Sequence, residues 1–346
     1  MFSKPLDFLA IGDTVTDAFI RLTDASILPA ADGVTKELCV TFGDKVPYES
    51  VHIIAGVGNS PNAAVSAARL GLRTAIASDI GGDIYGQEML TAYKGNNVGT
   101  NFIAIHKNMK SNYHYVLWYD VERTILVKHE TYPYSFASVT KKLSDKNAPR
   151  WIYLSSLGKN SLPYHQEISQ YLAMNPSVKL AFQPGTYQMG FGTAALAAIY
   201  KRTEIFFCNR EEAARILGKT ETANTAPEAK KNEILEFSKG LAALGPKIVC
   251  ITDGIDGAYG YDGTDLWFVP IYPHKPFERT GAGDAFSSTV TAALASGKSL
   301  PDALAWGPVN SMSVVQYIGA QEGLLSREKL LDYLAKAPTD YKVKKV

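Results

Sequence analysis

The sequence predicts an α/β domain built on an open, mostly parallel sheet, with a second, smaller sheet inserted into it. Three observations carry this reading. From residue 151 onward, short apolar strand-like runs alternate with helix-like segments. Residues 18–54 and 101–128 break that rhythm, offering β-like pieces and turns where helices are due. Near the C-terminus, Arg279-Thr280-Gly281-Ala282-Gly283-Asp284-Ala285-Phe286 puts two glycines at the start of a helix. Phe286, Val290, Ala293 and Leu294 form its single apolar face, and Gly297 closes it.

Composition narrows the possibilities. With 346 residues, 46% hydrophobic and 20% charged, the chain has ample material for a large core. A formal net charge of +1, with no dense Lys/Arg block before Lys342-Val343-Lys344-Lys345, makes nucleic acid an unexpected partner. The three cysteines, Cys39, Cys208 and Cys250, form no Cys-x-x-Cys, so neither a disulfide framework nor a structural zinc site is expected. The N-terminus reaches charge and proline at once, and no apolar run approaches membrane length. A soluble, cytoplasmic chain without a membrane partner is the expectation.

In chain order, Phe8-Leu9-Ala10-Ile11-Gly12 reads as a buried strand followed by Asp13-Thr14-Val15-Thr16-Asp17. Carboxylates there lie where open α/β sheets bind ligands, although a solvated turn also fits. Ala18–Leu22, Lys36–Val40 and Ser50–Ile54 are the β-like pieces of the first insertion. Gly56-Val57-Gly58-Asn59-Ser60-Pro61-Asn62 opens a helix, with Ser60 as its expected N-cap and Pro61 at the first position. Ala64, Val65, Ala68 and Leu70 line its inner face, and Gly71 ends it. Pro61 stands where a dinucleotide fingerprint wants its third glycine, which argues against a Rossmann oxidoreductase. After the strand Thr74–Ser78, Asp83 precedes a helix through Met89, Leu90 and Tyr93, where it reads as a cap. Tyr113–Tyr119, a turn at Asp120-Val121 and Glu122–Val127 then form a second β-rich insertion.

Beyond a polar segment at 141–148, the strands Trp151–Leu154, Lys179–Phe182 and Glu204–Cys208 alternate with helices at about 163–174, 194–200 and 210–217. Asn209 follows the third strand and either caps the next helix or, with Glu212, offers oxygen partners to a hydrated Mg²⁺. Strand Lys247–Thr252 leads into the glycine turn Thr252-Asp253-Gly254-Ile255-Asp256-Gly257, and Pro301 begins another helix containing Asn310. The N–H groups of the Gly281–Gly283 turn can converge on an anion at the positive end of the helix they open. Asp284 beside them is either a cap or a proton acceptor next to that anion. No Gly-x-x-x-x-Gly-Lys-Ser/Thr is present, so a P-loop mechanism is not expected.

Thr280-Gly281-Ala282-Gly283-Asp284, taken with Gly58 and Asn62, resembles the signatures of the ribokinase-like (PfkB) family of carbohydrate and nucleoside kinases. The resemblance covers about residues 5–335. It implies a single three-layer α/β/α domain over 1–346, with a small β lid at about 18–54 and 101–128. The implied activity is ATP-dependent phosphorylation of a primary hydroxyl on a sugar or sugar derivative. In these terms Asp284 is the base, and Gly281, Ala282 and Gly283 form the anion hole. Asp17, Gly58, Asn62 and Arg123 hold the acceptor. Asn209 and Glu212 organise Mg²⁺ through water, while Asn209, Thr252, Gly254, Gly257 and Asn310 serve the nucleotide.

Departures from the family pattern are specific. Val57 replaces the first glycine of the early signature, and Gln183 stands where many relatives have aspartate. Glu278-Arg279 replaces the Asp-Thr whose aspartate helps relatives bind an activating K⁺, and Arg279 can supply fixed positive charge instead. Two other functions stay open: a nucleoside kinase, with Phe42, Tyr113 or Trp118 stacking on a base, and a sugar- or nucleotide-sensing protein without catalysis. Exposed lid edges make pairing into a homodimer an expectation.

Overall fold

Alternate residues of the first strand, Phe8–Ile11, point to opposite sides of the sheet. Phe8 and Ala10 join one buried cluster, Leu9 and Ile11 another. Trp151 and Tyr153 divide from Ile152 and Leu154 in the same way, which makes the main body three layers deep. The computed structural model describes residues 5–33, 35–120, 122–143, 148–221, 226–275, 277 and 279–346. Glu278, one of the departures noted above, lies outside them.

Strand β1 (Phe8–Ile11) leads into β2 (Val15–Leu22), the hairpin β3 (Ser26–Pro29) and β4 (Lys36–Cys39), and β5 (Tyr48–Val57). Then follow α1 (Asn59–Arg69), β6 (Thr74–Ala77), β7 (Asp79–Gly81), α2 (Ile84–Gly95), β8 (Ala104–His106), β9 (Asn112–Tyr119), β10 (Glu122–Leu126) and α3 (Ala137–Thr140). The regular half runs β11 (Trp151–Leu154), α4 (Leu162–Met174), β12 (Lys179–Phe182), α5 (Thr186–Ala195), α6 (Ala197–Arg202), β13 (Thr203–Asn209), α7 (Arg210–Leu217), α8 (Pro227–Ala242) and β14 (Ile248–Thr252). It closes with β15 (Ala258–Tyr261), β16 (Leu266–Val269), α9 (Ala282–Ala295), α10 (Leu300–Val314), α11 (Arg327–Ala335) and β17 (Lys344–Lys345). The alternation in sequence leaves α8, β16 and α11 unannounced; the structure supplies them.

The main sheet has nine strands in the order β17-β16-β15-β14-β13-β12-β11-β1-β6. It is parallel from β6 to β14 and antiparallel from β14 to β17. Its parallel strands all present their carboxyl ends on one side, where a ligand site belongs. Phe8, Phe182 and Phe206 are fully buried, and each such side chain contributes about 1.5–3 kcal/mol to a rigid platform. A bidentate clamp anchors that platform: Arg73 Nε and Nη2 each lie 3.0 Å from Asp7, and Arg150 Nη1 lies 3.2 Å from it.

The lid is a four-stranded sheet of order β10-β9-β2-β5. Strands β2, β5 and β9 begin one to three residues before the expected segments, β5 also runs on to Val57, β10 stops at Leu126, and β3 with β4 forms a separate hairpin. Helix α1 also starts earlier than expected. Its N-cap is Gly58, at φ +121°, rather than Ser60. Ser60 turns inward instead, donating to the Ile11 carbonyl at 2.6 Å and pairing with Ser155 at 2.6 Å, so its hydroxyl fastens α1 to the sheet.

Candidate active site

Helix α9 begins at Ala282, with Gly281 as its N-cap in the left-handed region, φ +81°. The first bond of its ladder runs from Ala285 N–H to Gly281 O at 2.8 Å, so the amides of Ala282 and Gly283 precede it. These amides, at the positive end of the helix, can hold an anion. Gly281 is enforced by packing as well as by its φ, because a Cβ there would lie 2.4 Å from that of Ala320. Gly283 has the opposite surroundings: a Cβ would meet nothing within 4 Å.

The Asp284 carboxylate does not cap its own helix. Its Oδ1 accepts from Asn59 Nδ2 at 2.8 Å and Gln183 Nε2 at 3.1 Å, and its Oδ2 from Asn62 Nδ2 at 2.8 Å. Burial pushes its pKa above the ordinary carboxylate value, against the pull of those three amides and the positive field of Arg123. A carboxylate held by neutral donors, with its proton affinity raised, suits a base. Gln183, which stands where many relatives have aspartate, is thus part of the site. Asn59 was not singled out from the sequence, although it directly follows Gly58 in the early signature.

Beside Asp284 lies a cavity of about 170 Å³ lined by Gln183, Phe207, Cys208, Asn209, Glu212, Thr252, Gly283, Phe286 and Ser287. Asn209, Glu212, Thr252 and Gly283, chosen from distant parts of the sequence, therefore converge. Asn209 and Glu212 form a reciprocal cap on α7: Glu212 N–H donates to Asn209 Oδ1, and Asn209 N–H to Glu212 Oε2, both at 2.8 Å. Burial raises the Glu212 pKa, and the negative fields of Glu211 and Asp284 add to the shift. Among the described residues none that lines the cavity is a cation, so a polyphosphate here needs a positive counter-charge. An amide oxygen and a carboxylate of raised pKa suit a hydrated Mg²⁺, held mainly by its nucleotide.

On the other side, β2 and β9 bring Asp17 and His114 into parallel register. His114 Nδ1 lies 3.4 Å from Asp17 Oδ1, yet that oxygen and His114 Nε2 are both buried without a hydrogen-bond partner among the described residues. Asp13 accepts from Tyr134 OH at 2.8 and 3.0 Å and faces His129 Nδ1 at 3.1 Å. His114 and His129 pack edge to face, with ring centroids 5.2 Å apart. Alternation along β9, which turns His114 inward beside Asn112, Val116 and Trp118, was the signal for His114.

Several expected roles change. Asn62 is engaged with the base and also accepts from Gln321 Nε2 at 3.0 Å, so its amide holds Asp284 rather than standing open to a sugar. Asn310 is fully buried, donating to Thr289 Oγ1 at 2.8 Å and accepting from Leu325 N–H at 2.9 Å. It knits α9 to α10 and cannot face a nucleotide. Gly254 opens a short 3₁₀ turn and Gly257 follows it, and neither lines the cavity; Gly257 is needed because a Cβ would strike Val269 O at 2.5 Å. Arg279 is half-exposed and reaches Glu122 on the lid at 3.2 Å, so it does not put fixed charge inside the site in place of a cation. Asp83 is a cap, accepting from Gly86 N–H at 3.0 Å.

Comparison with known proteins agrees with this geometry. Residues 31–327 match the model of the pfkB family carbohydrate kinases. Ribokinase of Bacillus subtilis is 25% identical over 318 residues, covering 87% of this chain and 95% of its own. The Arabidopsis thaliana ribokinase complexed with ribose and ATP superposes with a TM-score of 0.73 at 18% identity, over 96% of this chain and 99% of that one. A putative ribokinase II of E. coli in complex with ATP and Mg²⁺ gives 0.68 at 17% identity, over 97% and 100%. The structural matches establish the ribokinase-like fold with its lid. With the family match spanning most of its length, the chain belongs to the pfkB family of carbohydrate kinases, which are phosphotransferases.

Proposed function

We propose that the protein transfers the γ-phosphoryl group of ATP to a primary hydroxyl of a sugar or sugar derivative, with Asp284 as the base. The observation that carries this is the Asp284 carboxylate, held by three amides on the first turn of α9 between the Asn209–Glu212 cavity and the lid. Phosphoryl transfer asks mainly for position and for positive electrostatics around the moving group. The N–H groups of Gly281, Ala282 and Gly283 supply the second at the transferred phosphoryl. Asp284 takes the acceptor proton as its oxygen attacks phosphorus. Mg²⁺, when bound, neutralises phosphate oxygens, and Asn209 and Glu212 are the residues that would hold it through water.

Asp17, His114 and the backbone at Gly58 face the acceptor, with Arg123 from the lid beside the base. The unpartnered Asp17 Oδ1 and His114 Nε2 support an acceptor rich in hydroxyls, because hydroxyl groups can both donate and accept. The aromatics favour a sugar over a nucleoside, since none of the three stands as a base-stacking wall of the site. Phe42 is fully exposed, Tyr113 packs on Tyr85 and Tyr115, and Trp118 is buried between Phe277 and Arg21.

The test is ADP release from Mg·ATP across pentoses, hexoses, sugar acids, sugar phosphates and nucleosides. One strong acceptor is expected, and Asp284→Asn should lower its turnover at least about a hundredfold, the scale of losing a general base. Near-normal turnover in that variant would remove Asp284 from the role.

The lid also supports pairing with a second copy. Ala18, Ile53, Tyr115 and Leu126 are in register across one face of its sheet, and the last three are exposed. Sedimentation as a monomer at micromolar concentration would count against it.

A further inference from the structure

We infer that Gln183 is a positioning residue that selects which oxygen of Asp284 receives the acceptor proton. This rests on Asp284 as the base and concerns how that base is aimed. An ionised carboxylate oxygen has two lone-pair sites, and Oδ1 has both filled, by Asn59 and by Gln183. Among the described residues Oδ2 accepts from Asn62 alone, which leaves one site for the acceptor. The acceptor O–H bond therefore breaks with its proton passing to Oδ2, while the oxygen electron pair forms the new bond to phosphorus. The bond from phosphorus to the leaving ADP oxygen breaks, and ADP keeps that pair.

The orientation of the Gln183 amide is itself fixed. Its Nε2 must face Asp284, because a carboxylate only accepts. Its Oε1 accepts from Tyr153 OH, and Ser287 Oγ lies 3.1 Å from it and 2.7 Å from Tyr153 OH. Burial, reinforced by the negative field of Asp284, keeps Tyr153 protonated and able to donate. Ser287 also reaches the Gly283 carbonyl at 2.8 Å, so one chain of contacts joins the glycine turn, Gln183 and the base. The neutrality of Gln183 matters equally. A carboxylate in its place would face Oδ1 at about the same separation, 3.1 Å, and two carboxylates so close cannot both ionise near neutrality.

Two variants test this. Gln183→Glu keeps an acceptor for Tyr153 and Ser287 and replaces the amide donor with a second carboxylate. Gln183→Met keeps length and removes the donor without adding charge. The other ionisable groups whose fields reach Asp284 are Arg123 on β10, Tyr153 on β11 and Glu212 on α7, and both variants leave them in place.

The first readout needs no turnover: ¹³C-carboxyl NMR of aspartate-labelled protein, with the Asp284 resonance identified by its loss in Asp284→Asn. Gln183→Glu should raise the Asp284 midpoint by at least about one pH unit, and Gln183→Met by less. The second is kinetic. Both variants should lower kcat about tenfold or more, a misaimed base costing part of its usual contribution, with acceptor KM within about threefold of the parent. An unmoved midpoint in Gln183→Glu overturns the inference, as does an unchanged kcat at pH 7. A moved midpoint in a protein whose parent form phosphorylates nothing would uphold the contact and overturn the kinase reading instead.

Discussion

The two glycines of the anion-binding turn should respond in opposite ways to the same added methyl group. In Gly281→Ala the new Cβ lies 2.4 Å from Ala320 Cβ and 2.7 Å from its Cα, contacts that force backbone to move. Overpacking of this kind costs about 1–3 kcal/mol. The left-handed φ of +81° adds about 1–2 kcal/mol for a residue with a Cβ. Together these come to about 2–5 kcal/mol. At about 2.1 cal/mol/K of unfolding entropy per residue, a chain of 346 residues then melts about 3–7 °C lower. Gly283→Ala meets nothing within 4 Å and sits inside α9, where alanine is favoured over glycine by up to about 1 kcal/mol. Its melting point should be unchanged or about 1 °C higher. Yet Gly283 lines the 170 Å³ cavity, and the methyl would enter the space beside the anion-binding amides. Displacing one such donor costs on the order of a hundredfold in turnover. Calorimetric melts read the stabilities, and initial rates with the best acceptor read the activity. The reasoning fails if Gly281→Ala melts within 1 °C of the parent, or if Gly283→Ala melts as low as Gly281→Ala.

Further outcomes follow from neighbouring geometry. Glu212→Gln should raise the Mg²⁺ concentration for half-maximal rate about tenfold, as loss of an outer partner of a metal does, and an unchanged requirement would place the metal elsewhere. Asn310→Ala should cost about 1–3 kcal/mol in a urea titration, because it strands the Leu325 N–H, while leaving the ATP KM within about twofold. A large rise in that KM would restore Asn310 as a nucleotide contact. Arg73 holds the Asp7 carboxyl below the usual carboxylate range, chiefly through their side-chain hydrogen bonds. That contribution is present above the unfolded carboxylate pKa and is lost as pH falls through the lowered folded value. Asp7→Asn should therefore cost about 1 kcal/mol at pH 7, allowing for the part-exposed arginines, with the gap closing below about pH 4. A gap independent of pH would mean that charge is not its source.

What could be read in the chain was local. The glycine turn before Phe286, the apolar stripe of α9, the strand of Phe8–Ile11 and the alternation beyond Trp151 each depend on a few neighbouring residues, so the α/β class and the kinase signature were legible. Asn209 with Glu212 was legible for the same reason, since a cap and its partner are three residues apart. The cap of α1 was misplaced, because Ser60 has a local use as a cap and a stronger one against the sheet, which appears only when Ile11 and Ser155 arrive beside it. Asn310 misled in the same way: an amide in the right region, turned into the core by its partners on α9 and at Leu325.

The base and its setting show the division most clearly. Sequence by itself determined that Asp284 opens a helix beside two glycines. Only the tertiary structure decided what surrounds it: Asn59, Asn62 and Gln183 lie 225, 222 and 101 residues away along the chain. The same holds for Asp17 and His114, joined by the pairing of β2 with β9. Helical turns and caps are encoded within a few residues, where side-chain pattern and backbone preference suffice. A hydrogen bond across hundreds of residues exists only once the sheet, α1 and α9 have packed, and its direction is set by which lone pairs and N–H groups the packing leaves to be satisfied.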